Sequence, residues 1–499
     1  MSTEGPVIGA RVARNSVWSL TGSLLPAGAV LIASVVMARG LGPEAFGRYV
    51  FAVFVYGAAA QVAVWGLPGA TSRFLAVARA GGDEDAQTAT LQASLRGTLV
   101  GTGLATAAVA LVALIGGQGV QRSHLLAAAA VVIFLAPTQV LVSVLSGREQ
   151  FRELAFWQIL AGFVNPAATI VAVMLGANVL HILLIDVLVT AGAMGVLLRF
   201  TCPLPLRSLR LADTPEGFWR FAWAYTALIV LGVVVFQRSE VLFLERYSTS
   251  SAVAMYGVAF GLAQIATRLT GPLMSAVGPA LARIAGPSAA AVERRPVQRA
   301  FHLSTVVGLA VSGIGWALAP AAIAFLYGEQ FAEAARPARL LFLGAWAVAV
   351  ASVPSGVAQA SGRLRPLVII NSLGAVLNIG LDVALIPPLG PDGAALANTG
   401  AQSAIAVVLV VWLVRTVPGL SLRSTALGVV PAVCGAMAAL AFLALPPLLA
   451  LIAGGSAGLL AFGVVGRVLG VLDDEVFALG KELARRASSL RQRRQGSTL

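Results

Sequence analysis

A succession of long apolar stretches constrains this chain more than any motif does. They run over residues 15–38, 49–72, 91–115, 124–146, 154–176, 178–198, 218–244, 252–283, 301–327, 337–360, 366–388, 393–414, 425–445 and 447–470. A helix rises about 1.5 Å per residue, so each stretch matches the roughly 30 Å hydrocarbon layer of a bilayer. The chain is 58% hydrophobic and 11% charged, with a mean hydropathy of +0.88, and a soluble core of 499 residues could not bury that much apolar material. The expectation is an all-α polytopic membrane protein of about 14 transmembrane helices. Only Pro446-Pro447 divides the last two stretches, so twelve spans with a differently arranged end is the alternative. Met1 to Ala10 does not read as a secretory signal, because no basic segment feeds a cleavable apolar one.

Alternating the spans across a membrane, with the N-terminus inside, sorts the basic residues sharply. Of the 34 Lys and Arg, 26 fall on or near the inner side, 7 on or near the outer side, and Arg268 alone lies near the middle of a span. Such a bias is what the positive-inside rule predicts for cytoplasmic N- and C-termini, and it favours an even number of spans. The net charge of +13 is therefore first a topology signal, and no nucleic-acid partner is expected.

An internal repeat organises the spans. Ser146-Gly147-Arg148 followed by Asn165 recurs as Ser361-Gly362-Arg363 followed by Asn378, and Leu41–Ala52 aligns with Ser248–Ala259, placing Tyr49 on Tyr256. Two six-helix units inserted in the same orientation are implied, and substrate sites of such parallel repeats lie near the midplane between them. The expected organisation is an N-terminal six-helix lobe (1–200), a C-terminal six-helix lobe (201–415), two extra transmembrane helices (416–470) and a basic amphipathic cytoplasmic tail (471–499). Val476, Leu479, Leu483, Ala487 and Leu490 recur in that tail at helical spacing beside Lys481 and five arginines, which suits the surface of an anionic leaflet.

Arg268 is the first candidate for a binding residue. It lies twelve residues after Tyr256 and fifteen before Arg283, near the middle of its span. A guanidinium there costs roughly 2.5–3.5 kcal/mol on insertion scales, so it faces either a polar cavity or a partner within the bundle. Gln264 is one turn earlier on the same face, and Gln61 is its counterpart by the repeat, 207 residues before Arg268. Arg73, near the inner end of the second span, reads either as a contact for an anion entering from inside or as a snorkelling residue. Asp186 and Asp382 lie inside apolar runs. Each reads either as the site of a coupling proton or sodium ion, or as the partner of an arginine on a neighbouring helix. Asn165 and Asn378 read as interhelical hydrogen bonds, and Asp83-Glu84-Asp85 as a solvated loop. Cys202 and Cys434 offer no disulfide framework, His124, His181 and His302 are scattered, and no metal site is expected. No phosphate-binding glycine loop with Lys and Ser or Thr is present, which argues against direct use of ATP.

Several collinear runs resemble a known family. They are Ala38-Arg39-Gly40-Leu41-Gly42-Pro43-Glu44-Ala45-Phe46-Gly47-Arg48-Tyr49, Leu326-Tyr327-Gly328-Glu329-Gln330-Phe331, Ser361-Gly362-Arg363, and Leu377-Asn378 on to Pro387-Pro388-Leu389-Gly390-Pro391-Asp392-Gly393. Together, over roughly residues 11 to 415, they resemble the polysaccharide and O-antigen flippase branch of the multidrug/oligosaccharidyl-lipid/polysaccharide exporter superfamily. The resemblance implies a V-shaped pair of six-helix lobes in the bacterial cytoplasmic membrane. It also implies a non-enzymatic flippase, working by alternating access on a polyprenyl-diphosphate-linked oligosaccharide. The chain departs from the family pattern at Arg238-Ser239-Glu240 in the seventh span and at Asp382, where many relatives have Asn.

A diphosphate crossing hydrocarbon needs fixed cations or donors, and arginine binds phosphate oxygens bidentately while staying charged. On that reading Arg268, Gln264, Gln61 and Arg73 are the substrate contacts. Arg39 and Arg238, near the outer end, either receive the headgroup on release or anchor the interface. The expected partners are the lipid-linked oligosaccharide, membrane lipids and, further off, enzymes of polysaccharide biosynthesis. No cofactor beyond a coupling proton or sodium ion is expected. A cation-coupled multidrug antiporter of the same superfamily and a non-catalytic scaffold of a polysaccharide assembly complex are the alternatives. A membrane-embedded glycosyltransferase would need catalytic groups on a sizeable outer loop, and the outer loops here are short.

Overall fold

A computed structural model of the protein describes residues 5–116, 119–201, 214–226, 239–268, 294–361 and 363–472. These are almost all helical, and no strand occurs among them. Ten helices among the described residues are long and apolar enough to cross a membrane, and Ser250–Ile265 and Val429–Leu440 are shorter apolar helices. Large aliphatic side chains point outward, with Met174 78% and Leu175 82% exposed, while alanine dominates the buried positions. That inversion suits helices packed closely by small residues inside a hydrocarbon solvent.

Two compact units divide the chain. The first comprises Met1–Leu262, Leu326–Pro337 and Val368–Ala401, and the second Ala263–Phe325, Ala338–Leu367 and Gln402–Leu499.

The first unit opens with α1, Gly5–Ala63. Where the sequence predicts a connection over 39–49, α1 runs through it, broken at Gly42 alone (φ 77°, ψ 170°). Glycine accepts that positive φ without penalty, and Pro43 restarts a helix at once because its φ is already helical and it has no N–H to leave unpaired. The second span also differs from expectation. The helix stops at Ala63, Trp65 (φ 46°) and Gly66 (φ 66°) turn the chain, and α2 spans Leu67–Ala80 with Pro68 in its first turn. Next come α3 (Glu84–Ile115), α4 (Gly119–Gly147), α5 (Phe151–Met174) and α6 (Val179–Thr201). The acidic cluster expected to be a solvated loop is instead the start of α3. Asp83 is the N-cap, its side chain accepting from Ala86 N at 2.8 Å, and Glu84 and Asp85 occupy the first turn, where the helix dipole favours negative charge.

A short helix at 218–226 is α7, followed by α8 (Glu240–Tyr247) and α9 (Ser250–Arg268). Further on are α10 (Arg294–Tyr327), α11 (Ala335–Ala360), α12 (Leu364–Leu389), α13 (Pro391–Thr416), α14 (Val429–Leu440) and α15 (Gly455–Val468). Ser146-Gly147-Arg148 closes α4, with Arg148 N bonded to Val144 O, and after α11 Ser361 N bonds to Val357 O and Arg363 N to Ala358 O. In the second unit, Val471 and Leu472 turn back against α10, and Val471 O is 2.7 Å from His302 Nε2. The expected amphipathic tail lies, from residue 473, outside the described residues.

Candidate functional site

Two buried carboxylate clusters stand out, and both lie in the first unit. Asp186, on α6, is 2% exposed. Its Oδ1 accepts from Asn165 Nδ2 of α5 at 2.7 Å, and its Oδ2 faces the hydroxyls of Tyr56 (3.3 Å) and Tyr49 (3.5 Å) on α1. Thr190 Oγ1 donates to the Asp186 carbonyl one turn on. Both carboxylate oxygens are therefore served by donors, a set that holds an acceptor-only group in a dry place.

The second cluster is less well satisfied. Glu240 begins α8, Asn378 and Asp382 lie one turn apart on α12, and Asn398 is on α13. Glu240, Asn378 and Asp382 are fully buried. Glu240 Oε1 accepts from Asn398 Nδ2 at 2.8 Å and from Asn378 Nδ2 at 3.5 Å, and the same amide donates to Asp382 Oδ2 at 3.1 Å and to Ser239 Oγ at 3.3 Å. Tyr256 faces Glu240 from α9. Glu240 Oε2, Asn378 Oδ1 and Asp382 Oδ1 are buried with no donor among the described residues. Two carboxylates share one amide, and Asp382 Oδ1 is left without a donor among the described residues, an arrangement that is costly in a dry site. The donor set is all oxygen, and it suits a shared proton or a small hard cation.

The repeat reappears in these clusters. Tyr256 follows Tyr49 by 207 residues, Asn378 follows Asn165 by 213, and Asn398 follows Asp186 by 212. At that spacing Asn398 corresponds to Asp186, and the carboxylates of the second cluster are Glu240 and Asp382. Glu240 is the residue that the sequence reading missed, although the departure at Arg238-Ser239-Glu240 had marked the place. As expected, Asn165 and Asn378 bond between helices, Asn165 to Asp186 and Asn378 to Glu240 and Ser239. Among the described residues no arginine joins Asp186, Glu240 or Asp382.

The remaining predicted residues are dispersed. Arg268 is the last residue of α9, and its side chain lies outside the described set, as does all of Arg238. Gln264 is half-buried one turn earlier, in the second unit, and Gln61 is half-buried near the end of α1, in the first. Arg73, exposed on α2, places its guanidinium 4.7 Å from the centroid of the Phe221 ring. Arg39 Nε donates to Leu326 O at 2.8 Å, serving one of the last carbonyls of α10.

Residues 12–285 match the family described as "Polysaccharide biosynthesis protein". The chain belongs to that family. Residues 226–384 also match the MatE family. No curated protein matches the chain. Among solved structures, the chain resembles "Lipid II flippase MurJ, inward closed conformation", with 14% identity over 91% of this chain and 98% of that one and a TM-score of 0.74. It also resembles an inward-facing multidrug resistance MATE family transporter of the MOP superfamily (16% identity, 80% and 97% coverage, TM-score 0.64). A third is the eukaryotic MATE transporter AtDTX14 (17% identity, 81% and 96% coverage, TM-score 0.53). At these identities the likeness is one of fold. Family and fold together put this multi-pass membrane protein in the MOP exporter superfamily, as the motifs around Gly42, Gly328 and Asn378 led one to expect.

Proposed function

We propose that this protein is a flippase for a polyprenyl-diphosphate-linked oligosaccharide, working by alternating access in the bacterial cytoplasmic membrane with both termini cytoplasmic. The family match over residues 12–285 is the observation that carries this reading. The 26 inner against 7 outer basic residues support the orientation. Two six-helix repeats (1–200 and 201–415), two further helices (416–470) and a basic tail (471–499) are the organisation this reading assigns. Arg268, with Gln264 and Gln61, is the proposed contact for the diphosphate, Arg73 its first contact on the inner side, and Arg39 and Arg238 lie where it leaves. Energy comes from a proton or sodium ion exchanged at the Glu240–Asn378–Asp382–Asn398 cluster, whose leftover oxygens favour a cation. Asp186 is the second candidate for that exchange.

Leaflet exposure of a fluorescent polyprenyl-diphosphate sugar in proteoliposomes tests the proposal, with a zwitterionic lipid as control. Translocation by the wild type and its loss in a folded Arg268→Ala variant are expected. Normal translocation in that variant would remove Arg268 from the site, and no translocation by folded wild type across several sugars would defeat the flippase reading.

One observation favours a second reading. The MatE match over residues 226–384 contains both Glu240 and Asp382, as a cation-coupled drug antiporter would require. Efflux of a cationic dye against a sodium or proton gradient, with lipid translocation absent, would decide for it.

A further inference from the structure

The crossing of α2 and α7 in the first unit carries an arrangement that neither carboxylate cluster uses. A side chain at Gly69 would bring its Cβ to 2.8 Å from Tyr225 Cε1, so the Tyr225 ring lies against α2 only because glycine is there. Tyr225 and Phe221, one turn apart on α7, have nearly parallel rings, with centroids 6.1 Å apart and planes at 10°. The Arg73 guanidinium stands 4.7 Å from the Phe221 centroid. Phe74, on the buried side, fixes Phe221 edge-on at 6.2 Å. The result is a ladder of cation, ring and ring. Both its ends are accessible, with Arg73 exposed and Tyr225 39% exposed. At the foot of α7 an open pocket of about 590 Å³ is lined by Thr214, Glu216, Trp219 and Arg220.

An interfacial aromatic belt with a snorkelling arginine is the simplest account of such residues. Two features go beyond it. A snorkelling arginine needs only a path to water, whereas the exposed Arg73 also lies over a ring that a second aromatic holds in place. Tyr225 is seated against a glycine that belt residues do not need. A stacked guanidinium keeps its edge free for bidentate contact with phosphate oxygens, and an exposed aromatic ring can cover the C–H face of a sugar. Cation and ring side by side match a molecule in which a sugar is joined directly to a phosphate.

We infer that Arg73 and Tyr225, with Phe221 positioning the arginine, form a subsite for the glycosyl-diphosphate headgroup, the guanidinium on the diphosphate and the Tyr225 ring on the first sugar. This rests on the flippase reading and extends it to named contacts for the sugar. The test is equilibrium binding to the purified full-length protein of farnesyl diphosphate and of farnesyl diphosphates carrying N-acetylglucosamine, glucose or galactose. Tyr225→Ala is expected to weaken binding of at least one glycosylated probe about 5-fold and leave bare farnesyl diphosphate unchanged. Tyr225→Phe restores the affinity, and Arg73→Ala weakens every probe. Equal weakening of bare and glycosylated probes by Tyr225→Ala, no weakening of either, or a wild type that does not distinguish them would overturn the subsite and leave an interfacial belt. A folded wild type that binds none of the probes would defeat the flippase reading itself, and the subsite with it.

Discussion

Replacing Gly47 with alanine should change which conformation the protein prefers. Gly47, on α1, packs directly on the start of α9. A Cβ there would overlap the Ser250 carbonyl oxygen and lie 2.6 Å from its carbon and 3.3 Å from Ala254 N. All three are backbone atoms, so no rotamer relieves the clash, and carbons rest at about 3.5–4.0 Å, which requires α1 and α9 to part by at least about 1 Å. Overpacking of that kind costs about 1–3 kcal/mol. Alanine also gains about 1 kcal/mol of helix propensity, but it does so wherever this part of α1 is helical, so the clash alone biases closed against parted helices. A bias of about 1–3 kcal/mol is roughly a 5- to 150-fold shift in the equilibrium. The assay is the labelling rate of Val253→Cys, a buried position on α9, by an impermeant maleimide, with Cys202 and Cys434 replaced by alanine. Gly57→Ala is the control, because nothing lies within 4 Å of a Cβ at that position. Gly57→Ala should leave labelling and thermal stability unchanged or slightly improved, and Gly47→Ala should raise the labelling rate at least about fivefold. If the two variants behave alike, the close approach of α1 and α9 does not exist in the membrane and the reasoning fails.

Asp382→Asn gives the second carboxylate cluster a donor for its leftover oxygens. It should raise thermal stability in detergent by about 1–3 kcal/mol while abolishing the response of transport to an imposed sodium or proton gradient, and an intact gradient response would move coupling to Asp186. Asp186→Ala leaves Asn165, Tyr49 and Tyr56 without their shared acceptor and should cost about 2–4 kcal/mol, whereas Asp186→Asn should cost less than half as much; thermal unfolding of both variants checks the order. Asp83→Ala removes the N-cap of α3 and should lower stability by about 1 kcal/mol without altering transport kinetics.

What the sequence made readable was local. The helix stop at Gly42-Pro43, the Ser-Gly-Arg punctuation and the apolar lengths of α3 to α6 all follow from residues within a turn or two of each other. The sequence predicts a connection over 39–49 because Pro43 reads as a breaker of whatever follows, whereas at the first position of a new helix it starts one, so the break is confined to Gly42. Asp83-Glu84-Asp85 was misread because charge alone suggests a loop, and only its position before a long apolar helix makes it a cap. Asp186 and Asp382 were visible as carboxylates in apolar runs. Glu240 was not, because Arg238 and Glu245 flank it in sequence, and its burial depends on Asn378 and Asn398, which no local window contains. The cation ladder at Arg73 was half visible. Its arginine drew notice, but the rings that hold it come from residues about 150 positions later.

The distance in sequence between Glu240 and the amides that hold it sets an order of events during synthesis. Asn378 and Asn398 follow Glu240 by 138 and 158 residues. At about 5–20 residues per second they emerge on the order of ten to thirty seconds later. Until then the carboxylate at the start of α8 lacks both amides that serve its Oε1, and leaving it so in hydrocarbon would cost several kcal/mol. The segment around α8 must therefore wait in a watery place, at the membrane surface or within the insertion machinery, and settle only when α12 and α13 arrive. A truncation ending before residue 378 should accordingly leave this segment open to solvent and to quality-control proteases, even though every apolar stretch that precedes it is complete.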